Sequence, residues 1–230
     1  MSGLSKYQPA AGTLRVLAAL LAYPDQGMRS YLGEMRTILR DEHALSAARC
    51  REIDALIDSL DRADPLEAEA GYVDLFDRGC ATSLHLFEHV HGDSRDRGPA
   101  MIDLAQTYEK AGLYLAPGEL PDYLPAVLEF VSTQPVAEAR AFLGEMSHIF
   151  NVLFNALQER GSPYASALGA LLEMAGEKAQ PVKPVAEPSL DDSWIEPPVF
   201  DGCSSKGQAR PGQPQPIHLV RKNAKTGAVA

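Results

Sequence analysis

Residues 136–160 read VAEARAFLGEMSHIFNVLFNALQER. Phe142, Met146, Ile149, Phe150, Leu153 and Leu157 recur there at intervals of three and four, the spacing that lines one face of an α-helix. The pattern predicts the longest helix of the chain over 136–160. Gly161-Ser162-Pro163 breaks it and opens a last helix that reaches about Lys178. Working back toward the N-terminus, the same period returns repeatedly. Leu14, Leu17 and Leu21 form one face and Val16 and Leu20 a second, so this helix is apolar nearly all round and should be buried. Pro24 stops it. Further helices are predicted over 25–41 and 45–62, the latter with Ile53, Leu56, Ile57 and Leu60 opposite Asp54, Asp58 and Asp61. Asp64-Pro65 places a capping residue before a first-turn proline and opens a fourth helix. Two more follow over 96–113 and 121–133. Alternating strand-like runs are absent, so the expected architecture is all-α, a single bundle of about eight helices.

The composition changes near residue 180. Residues 180–230 hold 8 of the 17 prolines and little periodic apolar pattern. Proline fixes φ and removes a donor, so the chain divides into a helical domain, 1–179, and a largely disordered Pro-rich tail, 180–230. An apolar island with Trp194, Ile195, Val199 and Phe200 sits inside that tail, placed to pack on the bundle or to cover a binding groove. Net charge is −10 overall, and 1–179 carry 15 Lys/Arg against 26 Asp/Glu. Such an acidic surface argues against nucleic acid and anionic lipid as partners and for a basic one. Three scattered cysteines fit a reducing compartment rather than a disulfide framework. The longest apolar run, 16–23, is well short of the roughly 18 residues of a membrane span, so no stable membrane insertion is expected.

Chemistry concentrates in 72–104, YVDLFDRGCATSLHLFEHVHGDSRDRGPAMIDL. Three of the six histidines, His85, His89 and His91, lie there beside Glu88, Asp93, Arg95 and Arg97. His85-Leu86-Phe87-Glu88-His89 matches H-x-x-E-H, in which two histidines one helical turn apart ligate zinc and an intervening acid serves as base. A zinc peptidase is therefore the alternative reading. It lacks a credible third ligand and the frame of a cleft, so no metal is expected. The bland reading has these histidines bonded to backbone or carboxylates where helices cross. Phosphate loops and nucleophile elbows are absent, and Cys80 stands without a catalytic partner set.

YVDLFDRG at 72–79, SLHLFEHVHGDSRDRGPAMIDL at 83–104 and ELPDYLP at 119–125 followed by LEF at 128–130 resemble the NarJ family. These are the delta subunits, or assembly chaperones, of respiratory nitrate reductase, within the wider TorD-like group of redox-enzyme maturation proteins. Cys80 departs from the basic residue expected there, and Tyr123 stands where TorD-type relatives carry histidine. The resemblance implies a cytoplasmic chaperone with a TorD-like helical fold, no catalytic activity and no cofactor of its own. Its partner would be the immature catalytic (alpha) subunit, mainly that subunit's N-terminal segment, with molybdenum cofactor delivery proteins as further partners. It would hold its client open for molybdenum cofactor insertion and leave before the active complex forms. An acidic helical body with an apolar groove suits a basic amphipathic helix. Tyr72, Phe76, Leu84, Phe87 and Leu124 are the expected apolar lining, and Asp77, His85, Glu88, His89, Arg95, Arg97 and Asp122 the expected polar contacts.

Overall fold

Helix α1 (Ala11–Leu21) forms the centre of the bundle, with Leu14, Val16, Leu17, Leu20 and Leu21 all buried. The computed structural model describes residues 11–92 and 94–181. Asp93, the Pro-rich tail beyond 181 and its apolar island lie outside them. The remaining helices are α2 (Gln26–Arg29), α3 (Leu32–Glu42), α4 (Ala47–Arg62), α5 (Pro65–Phe76), α6 (Leu86–His91), α7 (Arg97–Lys110), α8 (Leu124–Ser132), α9 (Val136–Glu145), α10 (Ser147–Glu159) and α11 (Ala165–Ala175), with a 3-10 turn at Cys80–Thr82. The described residues are thus all-α, without a strand. Helix α1 packs chiefly against α8 and α3, while α11 packs against α10, α9 and α4. Ala167, Gly169 and Ala170 let α11 sit in the interior with nearly every residue covered. Gly169 is close enough to the Arg49 guanidinium that a side chain there would collide with it.

The helices outnumber the expected eight for local reasons. The stretch 25–41 divides into α2 and α3. Asp25 caps α2 by accepting from the Met28 N–H at 2.7 Å, and Tyr31, at φ −98° and ψ 2°, interrupts the chain before α3. The long helix over 136–160 breaks at Met146, which ends α9 and begins α10 with φ −89° and ψ −1°. Gly144 and Ser147 flank the break, a setting in which helices commonly kink. The third extra element is α6, inside the histidine-rich segment. The cap expected at Asp64-Pro65 is present: the Asp64 carboxylate accepts from the Leu66 N–H at 3.0 Å.

The open end of α1 is closed from a distance. The Glu42 carboxylate at the end of α3 accepts from the Gly12 N–H at 2.9 Å, from the Thr13 N–H, and from the Thr13 hydroxyl at 2.7 Å. Helix N-termini leave unpaired N–H donors, and Thr13 is fully buried. Glu42→Ala is therefore expected to lower stability by about 1–2 kcal/mol, as capping losses do. Urea unfolding followed by circular dichroism measures it; a midpoint equal to that of the parent chain would remove the capping role.

Candidate functional site

Two short extended segments, one before α6 and one before α8, lie antiparallel at the base of the histidine-rich stretch. Leu124 N–H donates to the Leu84 carbonyl at 2.9 Å and Leu86 N–H to the Asp122 carbonyl at 3.0 Å, so His85 and Tyr123 face each other across the pair. This pairing is why α8 begins at Leu124 and not at Pro121: Pro121 and Asp122 form a turn that the Tyr123 N–H closes on the Leu120 carbonyl at 3.1 Å, and Tyr123 is extended (φ −68°, ψ 118°) opposite His85.

The pairing carries Asp122 inside. Its side chain has no solvent exposure. One carboxylate oxygen lies 3.3 Å from His85 Nδ1. The other accepts from the Phe87 N–H at the start of α6, at 3.2 Å, and lies 3.6 Å from the Arg97 guanidinium. Arg97 also reaches Glu88 at 3.3 Å. A buried carboxylate is costly unless its oxygens are paired, and here His85, the α6 N-terminus and Arg97 do the pairing. The Asp122 hydrogen bond raises the His85 pKa above its ordinary value, against the opposing effects of burial and of Arg97.

An aromatic group backs this network. The Tyr123 ring lies 5.5 Å from His85, and its hydroxyl is 2.9 Å from that of Tyr72, which also donates to the Leu21 carbonyl at 2.8 Å. Tyr72, Phe76 and Tyr164 pack at 4.8–6.2 Å between ring centroids. Burial pushes the phenol pKa of Tyr72, Tyr123 and Tyr164 up, so all three remain neutral; Tyr72 and Tyr123 share a hydrogen bond, whereas the buried Tyr164 hydroxyl has no partner among the described residues. Tyr108 donates to the Pro121 carbonyl at 2.8 Å and ties α7 to the same loop.

The expected site residues therefore divide. His85, Glu88, Arg97 and Asp122 come together as one network. His89 is half-buried and its Nε2 pairs with the Ser83 carbonyl at 2.8 Å. Tyr72, Phe76, Leu84 and Leu124 were expected to line a groove; they are core residues, each at most 4% exposed. The reason is direct: the faces they occupy are covered by Tyr23, Tyr164 and the paired segments. Phe87 is half-buried, edge-on to His91. Asp77 and Arg95 are exposed and stand apart from the network. The zinc geometry does not form, because His85 precedes α6 in extended conformation (φ −86°, ψ 105°) and shares no helix face with His89. Among the described residues no group of three His, Cys, Asp or Glu could hold a metal ion.

Sequence reasoning missed an open cleft of about 530 Å³. It is lined by Arg15 on α1, Tyr108 on α7, Tyr114 and Glu119 in the connection from α7, and Tyr123, Glu129 and Phe130 around α8. An exposed tyrosine and an acidic residue in a loop carry no periodic signal. The hint in the sequence was the ELPDYLP motif, three of whose residues, Glu119, Tyr123 and Pro125, line the cleft.

The described residues thus form an all-helical body that holds a buried carboxylate between two segments distant in sequence. The chain belongs to the nitrate reductase delta subunit family, whose model matches residues 42–169. It is 40% identical over 185 residues to the nitrate reductase molybdenum cofactor assembly chaperone NarJ of Escherichia coli, covering 80% of this chain and 78% of that protein. It is also 42% identical over 125 residues to the nitrate reductase-like protein NarX of Mycobacterium tuberculosis, covering 53% of this chain but 19% of that longer one. Among solved structures, a redox enzyme maturation protein from Archaeoglobus fulgidus shares the fold, with TM-score 0.52 and 19% identity over 77% of this chain and all of the other. The Escherichia coli NarJ relative is an assembly chaperone by name, and His85 and His89 share no helix face, which together set the zinc peptidase reading aside. None of the helices in the described residues is long and apolar enough to cross a membrane.

Proposed function

We propose that this chain is the assembly chaperone of a respiratory nitrate reductase. It binds the immature catalytic subunit in the cytoplasm, mainly through that subunit's N-terminal segment. It keeps the client open while the molybdenum cofactor is inserted, in contact with cofactor delivery proteins, and then leaves. The observation that carries this reading is the 40% identity to the NarJ chaperone across four fifths of the chain. The acidic balance, 31 Asp/Glu against 21 Lys/Arg, favours a basic client by steering and by complementarity. In this reading Asp122, His85, Glu88 and Arg97 position the loop before α8, and the half-exposed or exposed Phe87, Asp77 and Arg95 remain available to the client.

The test is co-purification. Tagged full-length chain, co-expressed with the catalytic subunit, is expected to retain that subunit when molybdenum cofactor synthesis is blocked and to lose it once the cofactor is supplied. Delivery proteins should appear in the blocked sample by mass spectrometry. Equal recovery in both states, or none in either, would overturn the proposal.

A further inference from the structure

The chain leaves its last helix by a fixed route. Gly176, at φ 86° in the left-handed region, ends α11, and the Glu177 N–H turns back to the Leu172 carbonyl at 2.9 Å. From there residues 177–181, Glu-Lys-Ala-Gln-Pro, run on without regular structure, and all five are exposed. With no side chain buried, the hydrophobic effect gives this stretch no reason to stay against the body. It is held nevertheless, at one residue and through main-chain groups only. The Gln180 N–H donates to Asn151 Oδ1 at 2.8 Å. The Gln180 carbonyl accepts from Asn151 Nδ2 at 3.0 Å and from Asn155 Nδ2 at 2.9 Å.

The helix itself does not call for these partners. Asparagine is a poor residue for a helix interior, yet Asn151 and Asn155 occupy two such positions of α10, one turn apart on one face. The Asn155 amide is aimed by its own helix, because it also donates to the Asn151 carbonyl at 2.7 Å. On the other side, Pro181 steers Gln180 into extended backbone, since the residue before a proline is disfavoured in the α region. A preset extended peptide unit thus meets a preset pair of amides.

We propose that Asn151 and Asn155 form a clamp for extended main chain, a strap that fastens the root of the C-terminal segment to α10 and opens without disturbing the core. The clamp reads N–H and C=O alone, so it is indifferent to the Gln180 side chain. Opening exchanges three surface hydrogen bonds for bonds to water, which makes the strap releasable. Everything C-terminal to the clamp then starts from Gly176 and not from Gln180, a gain of up to about 14 Å in reach. The strap stands whether or not the proposed function does.

Trypsin tests it on the full-length chain. Lys178-Ala179 is the one ordinary tryptic bond between Arg160 and Lys206, because Lys183 precedes a proline. The protease needs the residues flanking the cut to be extended and unattached, so cleavage there follows the population of the open strap. Replacing both amides, Asn151→Ala with Asn155→Ala, should release fragment 1–178 about tenfold faster or more, since three hydrogen bonds are lost together. Helical circular dichroism should stay at the parental level. Gln180→Ala should be cut at the parental rate. Nuclear magnetic resonance of the unaltered chain gives a reading that no substitution can distort: the Gln180 N–H should show an order parameter near the rigid value of about 0.85. Equal cleavage of parent and double variant overturns the strap. So does a Gln180 order parameter below about 0.6 in the unaltered chain. Faster cleavage of Gln180→Ala overturns recognition through the main chain.

Discussion

Asp122→Ala should cost about 3–5 kcal/mol of folding stability, the range seen when one partner of a buried ion pair is removed. The lower end is expected, because Arg97 and His85 keep 27% and 33% exposure and can recover some hydration. Three groups lose their acceptor at once: the His85 imidazole, the Phe87 N–H and the Arg97 guanidinium. The loss has a pH signature. His85 has a raised pKa in the folded chain, so its pairing contributes fully below its unfolded value of about 6.5. That contribution fades as pH rises through the folded value. The gap between parent and variant should thus be wider at about pH 6 than at about pH 9. Urea titrations at both pH values check this; a gap independent of pH would show that the His85 contact contributes nothing.

Phe150→Ala should cost a similar amount, about 3–5 kcal/mol, by leaving a cavity in the core. Phe150 is the largest of the fully buried side chains and belongs to α10, which packs on α11. Its neighbour Val152 is 39% exposed, and truncation there should cost less than about 0.5 kcal/mol. Thermal unfolding of the two variants against the parent chain measures the contrast; equal melting temperatures for the two would contradict the packing described for α10.

The difference between Phe150 and Val152 was legible in the sequence, because the three-and-four spacing across 142–157 separates the buried face from the wet one. The same holds for α1, for the Asp-Pro start of α5, and for the helical class of the whole body. The break at Met146 was not legible, since the apolar period runs through it without change. Nor were the turn at Pro121-Asp122 and the extended Tyr123 that follows, which depend on partners at Leu84 and Leu86 nearly forty positions away. At the site, residue type marked four polar residues that the structure brings together, but also Asp77 and Arg95, which it leaves apart. His85, Glu88, Arg97 and Asp122 meet because charged groups in an apolar setting need one another. For the apolar members it was a poor guide. Tyr72, Phe76, Leu84 and Leu124 look alike in a sequence whether they line a groove or fill a core, and only the neighbouring elements decide.

Helix α7 buries a single residue fully, Tyr108. Arg97 at its start reaches both Asp122 and Glu88, Leu104 rests on the core, and the Tyr108 ring lies 4.7 Å from that of Phe130. Two of these fastenings, Tyr108 on the Pro121 carbonyl and Arg97 on Asp122, end on one short loop. Few buried contacts mean a low free energy of local opening. Amide hydrogen exchange along α7 should therefore outpace that along α1 and α8, which bury seven residues each.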